Sequence, residues 1–96
     1  YTGTNVENAS YGLTICAERV AIGSAIAEGE RDFVAIAVVT ESDPPATPCG
    51  ACRQVLAEFG PTLDVVCAST HGTRATHTIA SLLPLSFTKT TLDRAR

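Results

Sequence analysis

Two apolar runs of branched side chains set the pattern of the chain. Asp32–Thr40 (DFVAIAVVT) and Leu63–Ser69 (LDVVCAS) are too short and too β-branched for helices. They predict strands, the first a central one covered on both faces. Two segments with helical spacing alternate with them. Ile15–Gly29 is Ala-rich and free of proline, with Thr14 as candidate N-cap and Gly29 as a stop. Its apolar positions Val20, Ala21, Ile22, Ala25, Ile26 and Ala27 spread around the circumference, so burial on more than one side is expected. Cys49–Gly60 places Cys49, Cys52, Val55, Leu56 and Phe59 on one stripe, and Gly60-Pro61 ends it.

The remaining segments are polar or broken. Tyr1–Val6 (YTGTNV) reads as the end of a strand and Glu7–Thr14 as a loop. Glu41–Pro48 is a loop stiffened by three prolines, His71–Arg74 a turn, Thr76–Pro84 a short helical turn, and Leu85–Arg96 a tail. The order strand–helix–strand–helix–strand indicates an α/β layered sheet, since parallel neighbours need crossover helices. A chain of 96 residues supports one domain, here residues 1–96, with a thin stability margin that a metal or partner subunit would widen.

Charge narrows the function classes. The net charge is −3, and Lys89 is the single lysine among scattered arginines. A polynucleotide partner is not expected, because phosphate backbones are held by dense positive charge. No apolar run reaches membrane-spanning length and no secretion signal is visible, so no membrane partner is expected. A cytoplasmic location with reduced thiols follows.

The chemistry lies at the two helix starts. Cys16 and Glu18 open the first helix, and Pro48, Cys49 and Cys52 open the second. Each helix follows a strand and a loop, so both starts can meet at one end of the sheet, where open α/β sheets place ligands. Helix N-termini favour thiolates, and Cys49 and Cys52 at i and i+3 share a helix face. With Cys16 as third thiolate, three protein ligands and one free position describe a catalytic zinc site rather than a structural one. Glu18 can then take a proton from a water activated by the ion and pass it on. Arg19 and Arg53 are the cations adjacent to the ligands, Arg53 being equally readable as a solvated side chain. Cys67 lies mid-strand and reads as core, not as a fourth ligand. His71 and His77 read as surface residues.

The pairing of Cys16-Ala17-Glu18 with Pro48-Cys49-Gly50-Ala51-Cys52 follows the pattern of zinc deaminases. Together with TGTNVENASYGLTICAERVA, PCGACRQVLAEFGP and LLPLSF, it closely resembles the small homotetrameric cytidine deaminases, from about Gly3 to Phe87. The resemblance implies a three-layer α/β/α fold, a mixed sheet with helices on both faces. It implies zinc-dependent hydrolysis of cytidine and deoxycytidine to uridine and deoxyuridine, with release of ammonia, in pyrimidine salvage. It also implies one Zn²⁺ per chain and a homotetramer with shared active sites. By the same likeness Glu18 shuttles protons, Asn5 and Glu7 of the Asn5-Val6-Glu7 stretch hydrogen-bond the ribose, and the Ala17 backbone holds the pyrimidine. Arg19 offsets the thiolate charge. Ala9 and Tyr11 are supplied by a neighbouring subunit, and Phe87 reaches a base in the tetramer. Family members also carry a first helix and strand, about 30–40 residues by typical element lengths, ahead of the segment seen here. Two other readings stay open at this point: a related deaminase of another aminated heterocycle, and a non-catalytic zinc-stabilised binding module.

Overall fold

A computed structural model describes residues 1–95 of the chain. Strand β2 (Asp64–Ser69) is the centre of a three-stranded sheet in the order β1–β2–β3. Strand β1 (Ala35–Thr40) lies parallel to it, in a register pairing Ile36 with Val65 and Val38 with Cys67. Helix α2 (Gly50–Phe59) makes the crossover that a parallel pair requires. Strand β3 (Arg74–Thr78) returns antiparallel, pairing His77 with Val65 and Ala75 with Cys67. Helix α1 (Ala17–Ala27) precedes the sheet, and the short helices α3 (Ile79–Leu82) and α4 (Lys89–Arg94) follow it. The expected α/β class holds, with a mixed sheet and packed helices.

The core forms on one face of the sheet. Val65 and Cys67 of β2 meet Ile22 of α1, Leu56 of α2, Ile79 of α3 and Leu63, all nearly inaccessible to solvent. By register Ile36 and Val38 point the same way. The alternate residues Ala37, Val39, Val66 and Ala68 share the opposite face, where Ala37 and Val39 are exposed and Val66 and Ala68 half-buried.

Several local expectations need correction. Strand β1 is an edge strand among the described residues, and its burial alternates between exposed and half-buried rather than being complete. A continuous apolar run cannot report which strand will lie at an edge. Tyr1–Val6 forms no strand; Val6 makes a single antiparallel bridge with Ile15, with N–H to O distances of 2.8 and 2.9 Å. Helix α1 is buried on one side only, through Ile22 and Ala25, and Gly23, Ser24 and Ala27 are exposed. Its N-cap position is Cys16, not Thr14. Thr14 instead ties the preceding loop, its Oγ1 accepting the Asn8 N–H at 3.1 Å.

The expected turn at His71–Arg74 is the tip of a hairpin that continues into β3. Gly72 takes φ +97° there, and its N–H bonds the Ser69 carbonyl at 3.0 Å. His77 is therefore a half-buried strand residue on the helix side, whereas His71 is exposed. The expected tail contains α4, whose N-cap Thr88 accepts the Thr91 N–H at 3.2 Å.

Candidate metal and active site

Cys16 and Cys49 are the N-cap residues of α1 and α2, in extended backbone just before the first helical turn. Cys52 follows one turn into α2 and is fully buried, whereas Cys16 is half-buried and Cys49 exposed. The three Sγ atoms lie within 4.8 Å of one another, with Cys16 and Cys49 at 3.8 Å. Two segments 33 residues apart thus bring their thiols to one point. Cys67 is not part of the group; it is buried in the core on β2, as its sequence position indicates.

The electrostatics differ from thiol to thiol. The Cys49 thiol is held below its ordinary range, chiefly by the backbone N–H of Cys52 in the first turn of α2. Burial, and then the neighbouring Cys49, push the Cys52 thiol up to about 12. A divalent cation would reverse that preference, since a coordinating thiol is deprotonated outright. Arg19 supplies positive charge from α1. Its Nη2 lies 3.8 Å from Cys16 Sγ, and bonds to Cys16 and then Cys52 raise its pKa. The Arg19 Nε is buried without a partner among the described residues, an unspent donor beside the sulfurs. Three thiols, a cation and a spare donor suit a soft, tetrahedral ion with one position left over.

Glu18 enters from the first turn of α1. Its Oε2 is 3.9 Å from Cys52 Sγ, next to the thiol group without belonging to it. A cleft of about 440 Å³ opens beside it, lined by Gly3, Thr4, Asn5, Cys16, Ala17, Glu18 and residues of β1. That volume suits a small molecule. Asn5 is committed to the fold through one side of its amide. Its Oδ1 accepts the Ala17 N–H at 2.8 Å, satisfying a donor at the start of α1. Its amide nitrogen is left to donate to a ligand.

The other sequence candidates do not line this cleft. Val6 is engaged with Ile15, and Glu7, Ala9 and Tyr11 lie exposed along the loop before α1. Phe87 is more than half exposed, and its carbonyl accepts Gln54 Nε2 of α2 at 2.7 Å.

Arg53 resolves against the solvated reading. It is half-buried, and its guanidinium donates to the Pro48 carbonyl at 2.7 Å, the Leu82 carbonyl at 2.9 Å and Thr47 Oγ1 at 2.7 Å. None of its bonds goes to sulfur. Thr47 and Gln54 were not candidates from sequence. Their only signal is adjacency to the Pro-Cys-x-x-Cys segment.

Comparison with known proteins agrees with this geometry. The family model described as the cytidine and deoxycytidylate deaminase zinc-binding region matches residues 1–69. A cytidine deaminase from Halalkalibacterium halodurans is 53% identical over 87 residues, covering 90% of this chain and 66% of that protein. One from Sporosarcina psychrophila is 45% identical over 96 residues, covering 99% and 71%. The chain thus spans about two thirds of the length of these relatives. The crystal structure of cytidine deaminase from Burkholderia pseudomallei superposes with a TM-score of 0.85 at 55% identity, covering 88% of this chain and 69% of that one. With a zinc-binding region matched across both helix starts and three thiols placed around one point, the chain belongs to the cytidine and deoxycytidylate deaminase family, and its cofactor is Zn²⁺.

Proposed function

We propose that this chain catalyses the hydrolytic deamination of cytidine and deoxycytidine. Water replaces the ring amine at C4, giving uridine or deoxyuridine and ammonia. The observation that carries the reading is the convergence of the three thiols within 4.8 Å with the Glu18 carboxylate 3.9 Å from one of them. Cys16, Cys49 and Cys52 are the proposed zinc ligands. When bound, zinc supplies a water that ionises near pH ~7 rather than ~16.

Glu18 moves the protons. Its carboxylate takes one from the attacking water, delivers it to ring N3, and serves the departing amine in the same way. Arg19 offsets the negative charge of three thiolates. Ala17 and Asn5 line the cleft and are the proposed contacts to the pyrimidine and the sugar, and Val6 and Glu7, next to Asn5 in the chain, are assigned to the sugar by the family likeness. Ala9, Tyr11 and Phe87 lie outside the cleft of their own chain. The family likeness assigns them to the site of another subunit in a homotetramer with shared active sites, and their exposure leaves them free for it. No helix among the described residues is long and apolar enough to cross a membrane. A cytoplasmic enzyme of pyrimidine salvage is the setting we infer.

Incubation of the purified protein with cytidine, followed by ultraviolet absorbance, tests the reading directly. Glu18→Gln is expected to keep zinc and to lose about 10²–10⁴-fold in kcat, the usual worth of a general acid–base group. A zinc-replete protein that deaminates no pyrimidine nucleoside would overturn it. Competition with other aminated heterocycles reports the substrate class.

A further inference from the structure

We infer that Arg53 is a positioning residue for the zinc centre, setting the place of Cys49 by gripping the segment that leads into it. The inference rests on the reading of Cys49 as a zinc ligand.

Cys52 and Cys49 are held in different ways. Cys52 is buried inside α2, and its place follows from the packing of that helix. Cys49 is exposed and outside the helix proper, at the end of the loop Glu41–Pro48. Pro44, Pro45 and Pro48 remove three backbone donors from that loop, so it cannot build a ladder of its own. What the loop lacks, Arg53 provides. Its Nε bonds the Pro48 carbonyl at 2.7 Å. Its backbone N–H makes only the ordinary first helical bond, to the Cys49 carbonyl at 2.9 Å, as any residue there would. The Pro48 carbonyl and the Cys49 nitrogen share one planar peptide unit. Fixing that oxygen therefore fixes the plane from which the Cys49 side chain projects. The outer nitrogens anchor the clamp, one to Thr47 Oγ1 at 2.7 Å and one to the Leu82 carbonyl of α3 at 2.9 Å.

All three side-chain acceptors are neutral oxygens, so shape matters here more than charge. A planar guanidinium spreads its donors in a fixed fork that an ammonium cannot reproduce. Lysine at position 53 keeps the charge and loses the clamp.

The test compares the zinc-loaded wild-type protein with Arg53→Lys, Arg53→Gln, Thr47→Val and Ile79→Val. Zinc release into a chromogenic chelator is followed alongside Tm, kcat and KM. Both Arg53 variants are expected to release zinc about 10-fold faster or more, at the lower end of the range for groups that orient metal ligands. Their kcat falls while KM holds, and Thr47→Val is intermediate. Ile79→Val lowers Tm without speeding release, because Ile79 packs in the core. Wild-type release from Arg53→Lys, or release rates that follow Tm across all variants including Ile79→Val, would overturn the inference. If the Arg53 variants cannot be purified folded, wild-type release from Thr47→Val overturns it equally. A wild-type protein that takes up no zinc would instead sink the ligand assignment itself, a separately visible outcome.

Discussion

The starts of α1 and α2 present thiols in the same way and are secured in opposite ways. Each has cysteine at the N-cap position, in extended backbone, with an arginine close by. At α1 the arginine works on charge: Arg19 points at sulfur, and the helix start is completed by Asn5 reaching across from the leading segment. At α2 the arginine works on shape: Arg53 bonds carbonyls and a hydroxyl, and the helix is seated by Cys52 and Leu56 in the core. The same residue type one turn from an N-cap cysteine thus points at sulfur in one helix and at oxygen in the other.

Removing the thiols tests whether both ends are needed at all. Cys16→Ala and Cys52→Ala are each expected to abolish stoichiometric zinc binding, read by elemental analysis of the purified protein. Retention of zinc by Cys16→Ala would reduce α1 to a spectator. Next in size is the seat of α2. Leu56→Ala should cost ~2–5 kcal/mol in chemical denaturation, the usual range for an emptied core site. A smaller loss would mean that α2 is held by its loop and not by its packing. Arg19→Gln should weaken zinc by about 10–100-fold in chelator competition. Arg19→Lys should recover part of that, because charge is what matters at α1. Equal effects of Lys and Gln there would erase the contrast with Arg53. The smallest effect concerns the cap on α1. Asn5→Ala should cost ~0.5–2 kcal/mol of stability, and Asn5→Asp should restore most of it while leaving no donor for a sugar. A rise in KM for Asn5→Asp without loss of Tm would separate the capping role from recognition.

The meeting of the three thiols was legible because its information is local. Cys16-Ala17-Glu18 and Pro48-Cys49-Gly50-Ala51-Cys52 each carry their spacing within one helical turn, and both turns follow from strong helical segments. The sheet was read less well. Strand β3 (RATHT) faces the helices with only Ala75 and His77, so it lacks the apolar alternation that marks a strand. Its pairing with β2 is what makes it one. Helix α4 is six residues long and depends on a threonine cap and the exposed Lys89–Asp93 pair at 3.0 Å, too little to register as a periodic pattern. Burial of β1 was overestimated for a different reason. Composition says that a face can be covered, and neighbours decide whether it is. The bonding of Arg53 was undecidable from sequence because one of its three acceptors, the Leu82 carbonyl, is brought to it only by the fold.

Gly3 shows how little slack the cleft wall has. A methyl group at that position would collide with the backbone of Ala17 and Ala21, so the leading segment and α1 touch main chain to main chain. No side chain cushions that crossing. A single added carbon at residue 3 would lift the segment off the helix, carry Asn5 away from Ala17, and so be transmitted to the cleft beside Glu18 by a residue with no functional group of its own.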